Sequence, residues 1–246
     1  DQGQNWTRAQ GIGDFAIYSI IFHPDNSNIV YASALGSGVF KSNDGGRNFT
    51  PLGDSSLKYT YRLAMSSGDS NVLVASSNVF FAQLSTEEQI SGKYGGIFQS
   101  KNGGETWKEL TAGIRKYGED NPVEFFGWLY NFGHLPNYEM ILMDPKDPNH
   151  LIVGHHGENV VVTHDGGVTW EKSLPEQMVP GNIHNYAYCL GFSSDFRKIY
   201  ACTCGRGLFR GILDKTQKLT WDFADTANAK KSKSGLQPRN AQEARR

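Results

Sequence analysis

One short phrase recurs along the chain and limits its fold more than any other feature. Each copy has Ser or Thr, an Asp or Asn two residues later, two glycines and a closing aromatic, at residues 42–49, 100–107 and 163–170. Residues 1–6 fit the last six positions of the same phrase. Asx side chains hydrogen-bond nearby backbone groups and glycines accept positive φ, so the phrase predicts a tight turn that opens a strand. Its repetition predicts a repeat architecture.

The sequence around each phrase predicts the same four-strand unit. Period-2 runs of Val, Ile, Tyr and Phe lie between clusters of Gly, Asn and Asp, which is the strand signal. First strands are expected at residues 16–22, 59–65, 138–143 and 186–192, and second strands at 29–34, 72–76, 151–154 and 199–202. Third strands are expected at 38–42, 97–100, 160–163 and 208–212, and the phrase then turns into a fourth. Four-stranded units in series are typical of propeller blades.

The phrase resembles the Asp-box, or BNR repeat, of sialidases, xyloglucanase-type glycoside hydrolases, sortilin-type receptors and a photosystem assembly factor. The resemblance covers roughly residues 1–223 and implies an all-β fold, a β-propeller of four-stranded antiparallel blades. In that family the acid caps backbone amides and the Trp packs between strands. It therefore implies structural roles, and neither catalysis nor metal binding, for Asp1, Trp6, Asp44, Phe49, Asn102, Trp107, Asp165 and Trp170. The departures are Asn102 for Asp, Phe49 for Trp, and a degenerate last copy that keeps Trp221 but has residues 213–218 in place of the turn.

The phrase also divides the chain into blades. We expect blades at residues 11–53, 54–111, 112–174 and 175–223, and residues 1–10 as the outer strand of a truncated blade before them. Asp-box propellers have mostly six or seven blades, so the resemblance implies part of a six- to eight-bladed ring. The first blade would then expose an apolar edge that a neighbour normally covers.

Composition limits the remaining possibilities. Residues 226–246 hold six Lys or Arg against one acid and almost no large apolar residues, so we expect residues 224–246 to be a basic, disordered tail. No aromatic residues alternate with these charges, which argues against a nucleic-acid-binding arm. No apolar run is long enough to cross a bilayer. The resemblance implies an extracellular or periplasmic location, and we expect no cofactor.

Two insertions concentrate the candidate binding residues. The closing aromatics lie 43, 58, 63 and 51 residues apart, whereas a plain blade needs about 40–45. The excess lies at residues 78–95 and 111–137, which should share the propeller face opposite the phrase turns. Trp128 is the one tryptophan outside a phrase position. Aromatic rings stack on sugar faces and carboxylates accept hydroxyl hydrogen bonds, so we take Trp128, Tyr130 and His134 as ligand candidates and Glu119, Asp120 and Glu124 as catalytic candidates. A small core under the loop is an alternative role for Trp128.

The third and fourth blades add histidines, an arginine and cysteines. His155, Glu158 and Arg206 are further ligand candidates, and His184 is a candidate base for a polysaccharide lyase. Adjacent strand residues point opposite ways, so His155 and His156 cannot easily share one metal, and we expect no metal site. If residues 186–192 pair with residues 199–202 across a six-residue turn, Cys189 faces Cys202. Either a disulfide or two thiols fits that position.

Two functions remain open. The first is a secreted, glycoside hydrolase-like propeller that binds or cleaves an extracellular polysaccharide through loops on one face. The second is a sortilin-like or assembly-factor-like propeller that binds a protein or peptide without catalysis. Large loops that mix aromatic and acidic residues favour the first function.

Overall fold

The described residues of this computed structural model are 2–79, 96–113, 123–125, 128–130, 138–155, 159–173, 187–193, 195–203, 207–216 and 218–223. They form four antiparallel four-stranded sheets, one two-stranded hairpin and one 3-10 helix. The first sheet has β1 Ile17–Phe22, β2 Val30–Ala34, β3 Gly38–Ser42 and β4 Thr50–Leu52, and the helix Ser55–Leu57 follows it. The second sheet has β5 Thr60–Met65, β6 Leu73–Ser77, β7 Ile97–Ser100 and β8 Lys108–Glu109. The hairpin is β9 Val123–Phe125 with β10 Trp128–Tyr130. The third sheet has β11 Tyr138–Met143, β12 Leu151–His155, β13 Asn159–Thr163 and β14 Glu171–Lys172, and the fourth has β15 Ala187–Phe192, β16 Lys198–Thr203, β17 Gly207–Leu213 and β18 Leu219–Phe223.

The predicted four-strand units are confirmed. Each sheet holds four strands in sequence order, and every first, second and third strand begins and ends within about one residue of its expected position. The hairpin of β9 and β10 was not predicted; the sequence indicated only a long insertion there. Its strands are three residues each, too short to give an alternation pattern.

The four sheets form consecutive blades of a propeller arc. The innermost strands follow one another in space, because β1 contacts β5, β5 contacts β11 and β11 contacts β15. Because neighbouring strands in each sheet run in opposite directions, every turn and connection lies at one of the two ends of the sheets. We call the end with the phrase turns and the first-to-second strand turns the turn face. The opposite end, where one sheet connects to the next, is the loop face.

The core lies between the faces of neighbouring sheets. Tyr31 and Val39 of the first sheet pack with Leu63 of the second, and Ile97 of the second packs with Ile141 of the third. Between the third and fourth sheets, the cluster contains Ile152, Val160, Val162, Leu190, Ala201 and Phe209. The other face of the first sheet has a smaller buried cluster of its own, on which Ile12 of the leading segment packs: Val30, Ala32, Ala34, Phe40 and Phe49.

Every first strand carries the same irregularity. The pairing between the first and second strands shifts by one residue at Tyr18, Tyr61, Glu139 and Tyr188, and is regular before and after it. Such a bulge sharpens the local twist and redirects one side chain. In all four sheets it lies at the second residue of the strand, close to the loop face.

The cysteine register is confirmed. Cys189 pairs with Cys202, and Phe192 pairs with Ile199 beside the turn at residues 193–197. The side chain of Cys189 lies outside the described residues, so the choice between a disulfide and two thiols stays a prediction.

The leading segment differs from the predicted outer strand. Residues 2–9 form no strand, and Gln10 makes a single bridge to Asn48. A fourth strand needs a third strand beside it, and no described strand lies beside residues 2–9. Ile12 still packs on the first sheet. The expected apolar edge is present, because Ile20 and Phe22 of β1 are 56% and 67% exposed.

Candidate functional site

The acids of the phrase turns are occupied by hydrogen bonds within their own turns. Asp44 Oδ1 accepts from the backbone amides of Arg47 and Asn48 at 3.0 and 2.9 Å. The backbone and side-chain hydrogen bonds from Asn48 hold the pKa of Asp44 well below its usual range. Asn102 does the same without a charge, since its Oδ1 accepts from the Thr106 amide at 3.0 Å.

Asp165 repeats this arrangement in the third sheet. Its carboxylate accepts from the Thr169 amide at 2.9 Å and from the Thr169 hydroxyl at 2.6 Å. Burial acts to raise the pKa of Asp165, but the hydrogen bonds from Thr169 and Thr163 outweigh it and lower the pKa to about 2. A carboxylate so fully used by its own turn has little capacity left to bind a ligand.

The closing aromatics also bond within their turns. The indole Nε1 of Trp107 donates to the carbonyl of Gly104 at 2.8 Å, and that of Trp170 donates to Gly167 at 3.2 Å. Trp6 makes the same bond to Gly3 at 2.9 Å, although its side chain is 89% exposed. Phe49 is buried in the first sheet. Asp1 lies outside the described residues.

The hairpin of β9 and β10 carries three of the candidate residues. Trp128 pairs with Phe125, Leu129 with Glu124 and Tyr130 with Val123. Directly paired residues share a face of a hairpin and neighbours along a strand alternate. Phe125, Trp128 and Tyr130 therefore occupy one face, and Glu124 occupies the other.

Most of the remaining candidates fall outside the described residues. This applies to Glu119, Asp120, His134, Glu158, His184 and Arg206. His155 ends β12 and pairs with Tyr138 on one side and Asn159 on the other. The structure brings Glu124, Trp128 and Tyr130 together on one short hairpin; their roles stay predictions.

A cluster at the first-strand bulges was missed from the sequence. The rings of Tyr18 and Tyr61 lie 4.6 Å apart between the first two sheets, and the Arg62 guanidinium lies 4.6 Å from the centre of the Tyr61 ring. Arg62 Nη1 also donates to the carbonyl of Tyr18. This cation–π group lies near the loop face and joins two blades. Its sequence signal is the tyrosine that recurs at the same first-strand position in three units, Tyr18, Tyr61 and Tyr188.

A second missed cluster lies on the turn face. His150 Nδ1 is 3.1 Å from Asp144 Oδ2, and both side chains are buried. The His150 ring stacks on His164 at 4.5 Å, and its Nε2 has no hydrogen-bond partner among the described residues. Burial lowers the pKa of His150, while the hydrogen bond with Asp144 acts in the opposite direction. In the second sheet, Ser66 and Val72 occupy the positions of Asp144 and His150. An alignment of the repeats would therefore have shown that the third unit carries an Asp and a His where the second does not.

Neither cluster forms a metal site. No group of three or more His, Cys, Asp or Glu side chains in the described part of the chain is arranged to hold a metal ion. Within the same ranges, no helix has the length and hydropathy needed to span a membrane.

Solved structures show which fold these sheets build. The chain is similar to the GH74 xyloglucanase of Xanthomonas campestris, with 17% identity and a TM-score of 0.57 over 88% of this chain and 31% of that one. It is similar to YCF48 of Cyanidioschyzon merolae, with 14% identity and a TM-score of 0.52 over 87% of this chain and 58% of that one. It is also similar to the Swd1 β-propeller domain of Myceliophteria thermophila, with 12% identity and a TM-score of 0.53 over 86% and 60%.

These likenesses show a β-propeller fold. The chain spans about a third of the xyloglucanase and about three fifths of the other two structures. No protein-family model matches the chain, and no curated protein matches it.

Proposed function

We propose that this chain is part of a secreted, carbohydrate-active propeller that holds a polysaccharide against its loop face. The observation that carries the proposal is the register of the β9–β10 hairpin, which assigns Phe125, Trp128 and Tyr130 to one face. Three aromatic positions within five or six residues are spaced like a stacking platform for successive sugar rings. The likeness to a GH74 xyloglucanase supports this substrate class.

The same register distinguishes between the acidic residues that are candidates for catalysis. Glu124 is on the hairpin face opposite Trp128, so a sugar stacked on Trp128 meets carboxylates from other segments first. Glycoside hydrolysis needs two carboxyl groups on either side of the scissile bond. We therefore propose Glu119 and Asp120 ahead of Glu124 for this role. His134, His155, Glu158 and Arg206 are proposed as further contacts around the sugar, and His184 as the base if the chemistry is that of a lyase.

A protein- or peptide-binding propeller is the second proposal. The likenesses to YCF48 and to the Swd1 propeller are about as strong as the likeness to the xyloglucanase. The propeller fold is therefore compatible with a chain that binds a partner and catalyses nothing.

Affinity electrophoresis in gels that contain one polysaccharide each tests the first proposal. We expect retardation by at least one β-linked glucan such as xyloglucan, and about a fivefold loss of affinity for Trp128→Ala, because a stacked aromatic contact contributes about 1 kcal/mol. Trp6→Ala is the matched control: it removes an equally large, exposed tryptophan from the turn face. Reducing-end release measures catalysis. If the unaltered chain releases reducing ends and Glu119→Gln or Asp120→Asn abolishes the release but not the binding, the substituted residue is catalytic.

Two results would contradict the carbohydrate proposal. One is a chain that no polysaccharide in the panel retards and whose thermal midpoint none of them raises. The other is equal retardation of Trp128→Ala, Trp6→Ala and the unaltered chain. Either result would favour the protein- or peptide-binding proposal.

A further inference from the structure

The contact between the third and fourth sheets contains a buried histidine where the matching residues of the earlier sheets are aliphatic. The turn from the first strand to the second ends at Ile29, Val72 and His150 in the first three sheets. Val72 packs in the cluster between the second and third sheets. His150 is 1% exposed, and its ring lies 6.0 Å from the Phe196 ring of the fourth sheet at an angle of 86°. A titratable ring therefore occupies a place that an apolar side chain holds in the preceding sheet.

The hydrogen bonds of His150 favour a neutral ring. Nδ1 lies 3.1 Å from Asp144 Oδ2, and because a carboxylate accepts, Nδ1 carries the one proton of the neutral imidazole. Nε2 is buried and has no hydrogen-bond partner in the described part of the chain. Protonation of the ring would place a second N–H donor at Nε2, where no described group accepts it. A buried donor without an acceptor is costly, so the charged ring is disfavoured in this position.

The charged groups that act on His150 come from two turns of the third sheet. Its own turn supplies Asp144 and Asp147, which favour the protonated ring. The phrase turn supplies His164, whose ring stacks on it at 4.5 Å and disfavours a second charge; Glu171 lies 3.8 Å from His164 Nε2 on the far side. Burial is the largest influence and outweighs the hydrogen bond with Asp144, so the pKa of His150 lies below its ordinary value of 6.5.

The fourth-sheet side of the contact holds a strained residue. Phe196 has a φ of +56°, a left-handed conformation that a bulky residue rarely adopts. Its ring is 4% exposed and packs against His150 and, at 5.0 Å, against Phe192. The charged residues on either side of it, Asp195 and Arg197, bond within their own turn, where the Arg197 amide donates to the Asp195 carboxylate at 3.1 Å. The strained conformation of Phe196 is therefore held by the packing of its ring.

We propose that the His150–Phe196 contact is a pH-dependent switch, in which protonation of His150 separates the two rings and frees the turn at residues 193–197 from the third sheet. At neutral pH the uncharged imidazole and the Phe196 ring hold the two sheets together at the turn face. Once charged, His150 gains water at Nε2 and moves away from His164 when the contact opens, and Phe196 loses the packing that holds its φ positive. The opening is local, because Ile199 and Phe209 of the fourth sheet stay packed in the shared cluster.

Hydrogen–deuterium exchange of the full chain, followed amide by amide with NMR, tests this proposal. The His150 and Phe196 amides are bonded within their own turns at 3.0 and 2.8 Å, so each exchanges when its turn opens. After correction for intrinsic exchange, opening at both should increase several-fold from pH 7.5 to pH 5.5, with about tenfold as the limit that one imidazole can supply. The Val72 amide, bonded at 2.9 Å in the matching turn of the second sheet, is the control and should show no increase.

A double variant removes the titratable pair and keeps the turn. Asp144→Ser with His150→Val copies Ser66 and Val72 of the second sheet, and it should abolish the pH dependence of exchange at the Phe196 amide. The NMR titration of the His150 ring in the unaltered chain is a second measurement that needs no variant. Its midpoint should lie below 6.5, because the closed contact favours the neutral ring.

Three results would overturn the proposal. The first is exchange at the Phe196 amide that rises no more than exchange at the Val72 amide. The second is an unchanged pH response in the double variant, which would assign the opening to another group. The third is a His150 ring that titrates above 6.5, which would show that the contact favours the charged ring. If the double variant does not fold, the first and third measurements still decide the question.

Discussion

Replacing Gly167 with Ala should destabilise the fold by more than a single left-handed residue can explain. Gly167 has a φ of +87°, a conformation that costs a residue with a Cβ about 1–2 kcal/mol. The new Cβ would also lie 2.6 Å from Leu110 Cβ and 3.1 Å from the Leu110 carbonyl oxygen. Leu110 cannot easily move away, because it is buried and its amide donates to the Ile97 carbonyl at 2.8 Å.

The expected loss is the sum of these two effects. Forcing a methyl group into a packed contact costs about 1–3 kcal/mol, so Gly167→Ala should lower the free energy of unfolding by about 2–5 kcal/mol. Gly46→Ala is the control: its φ is +88°, but the nearest atoms of the Phe49 ring are 3.9 Å from the new Cβ. It should cost only about 1–2 kcal/mol. The difference between the two variants measures the packing of a phrase turn on the preceding sheet.

Urea unfolding followed by tryptophan fluorescence measures both values. Equal losses for Gly46→Ala and Gly167→Ala would refute the reasoning, because the two turns would then differ in no way that matters for stability.

Two further predictions concern pH. Asp165→Asn should lower the urea midpoint at pH 7. The deficit should shrink as the pH falls from about 4 towards 2, because the Asp165 carboxylate, whose folded pKa is about 2, becomes protonated over that range and no longer stabilises the fold. A pH-independent deficit would contradict this. His150→Val should cost about 1–3 kcal/mol by leaving buried Asp144 without its imidazole. The same variant should lose the decline in stability below about pH 6.5 that comes from the lowered pKa of His150. Adding Asp144→Ser, as at Ser66, should recover most of the loss at pH 7, and a double variant as unstable as the single one would count against the pairing.

Much of the fold could be predicted because its signals are local. The Asp or Asn, the two glycines and the closing aromatic define a turn within eight residues, and strand alternation defines what lies on either side. Even the pairing of Cys189 with Cys202 could be worked out, because a short turn fixes the register of a hairpin. The hairpin at residues 123–130 could not, since strands of three residues carry no periodic signal.

The candidate site was predicted less completely than the fold. The insertions gave the aromatic and acidic candidates, but only the register of β9 with β10 separated Glu124 from Trp128 and Tyr130. The stack of Tyr18, Tyr61 and Arg62 depends on residues 44 positions apart in sequence, and it exists because bulges in two neighbouring first strands bring them together.

The sequence by itself determined the repeat, the turn chemistry and the strand order, because each of these depends on groups that are close in the chain. The tertiary structure alone decided which blade faces are covered. Leu63 and Ile20 hold the same place in successive units and have similar side chains, yet the first is buried and the second is exposed. They differ because a neighbouring described sheet covers Leu63 and none covers Ile20. Burial depends on the group that lies across the face, and a local segment of sequence does not specify that group.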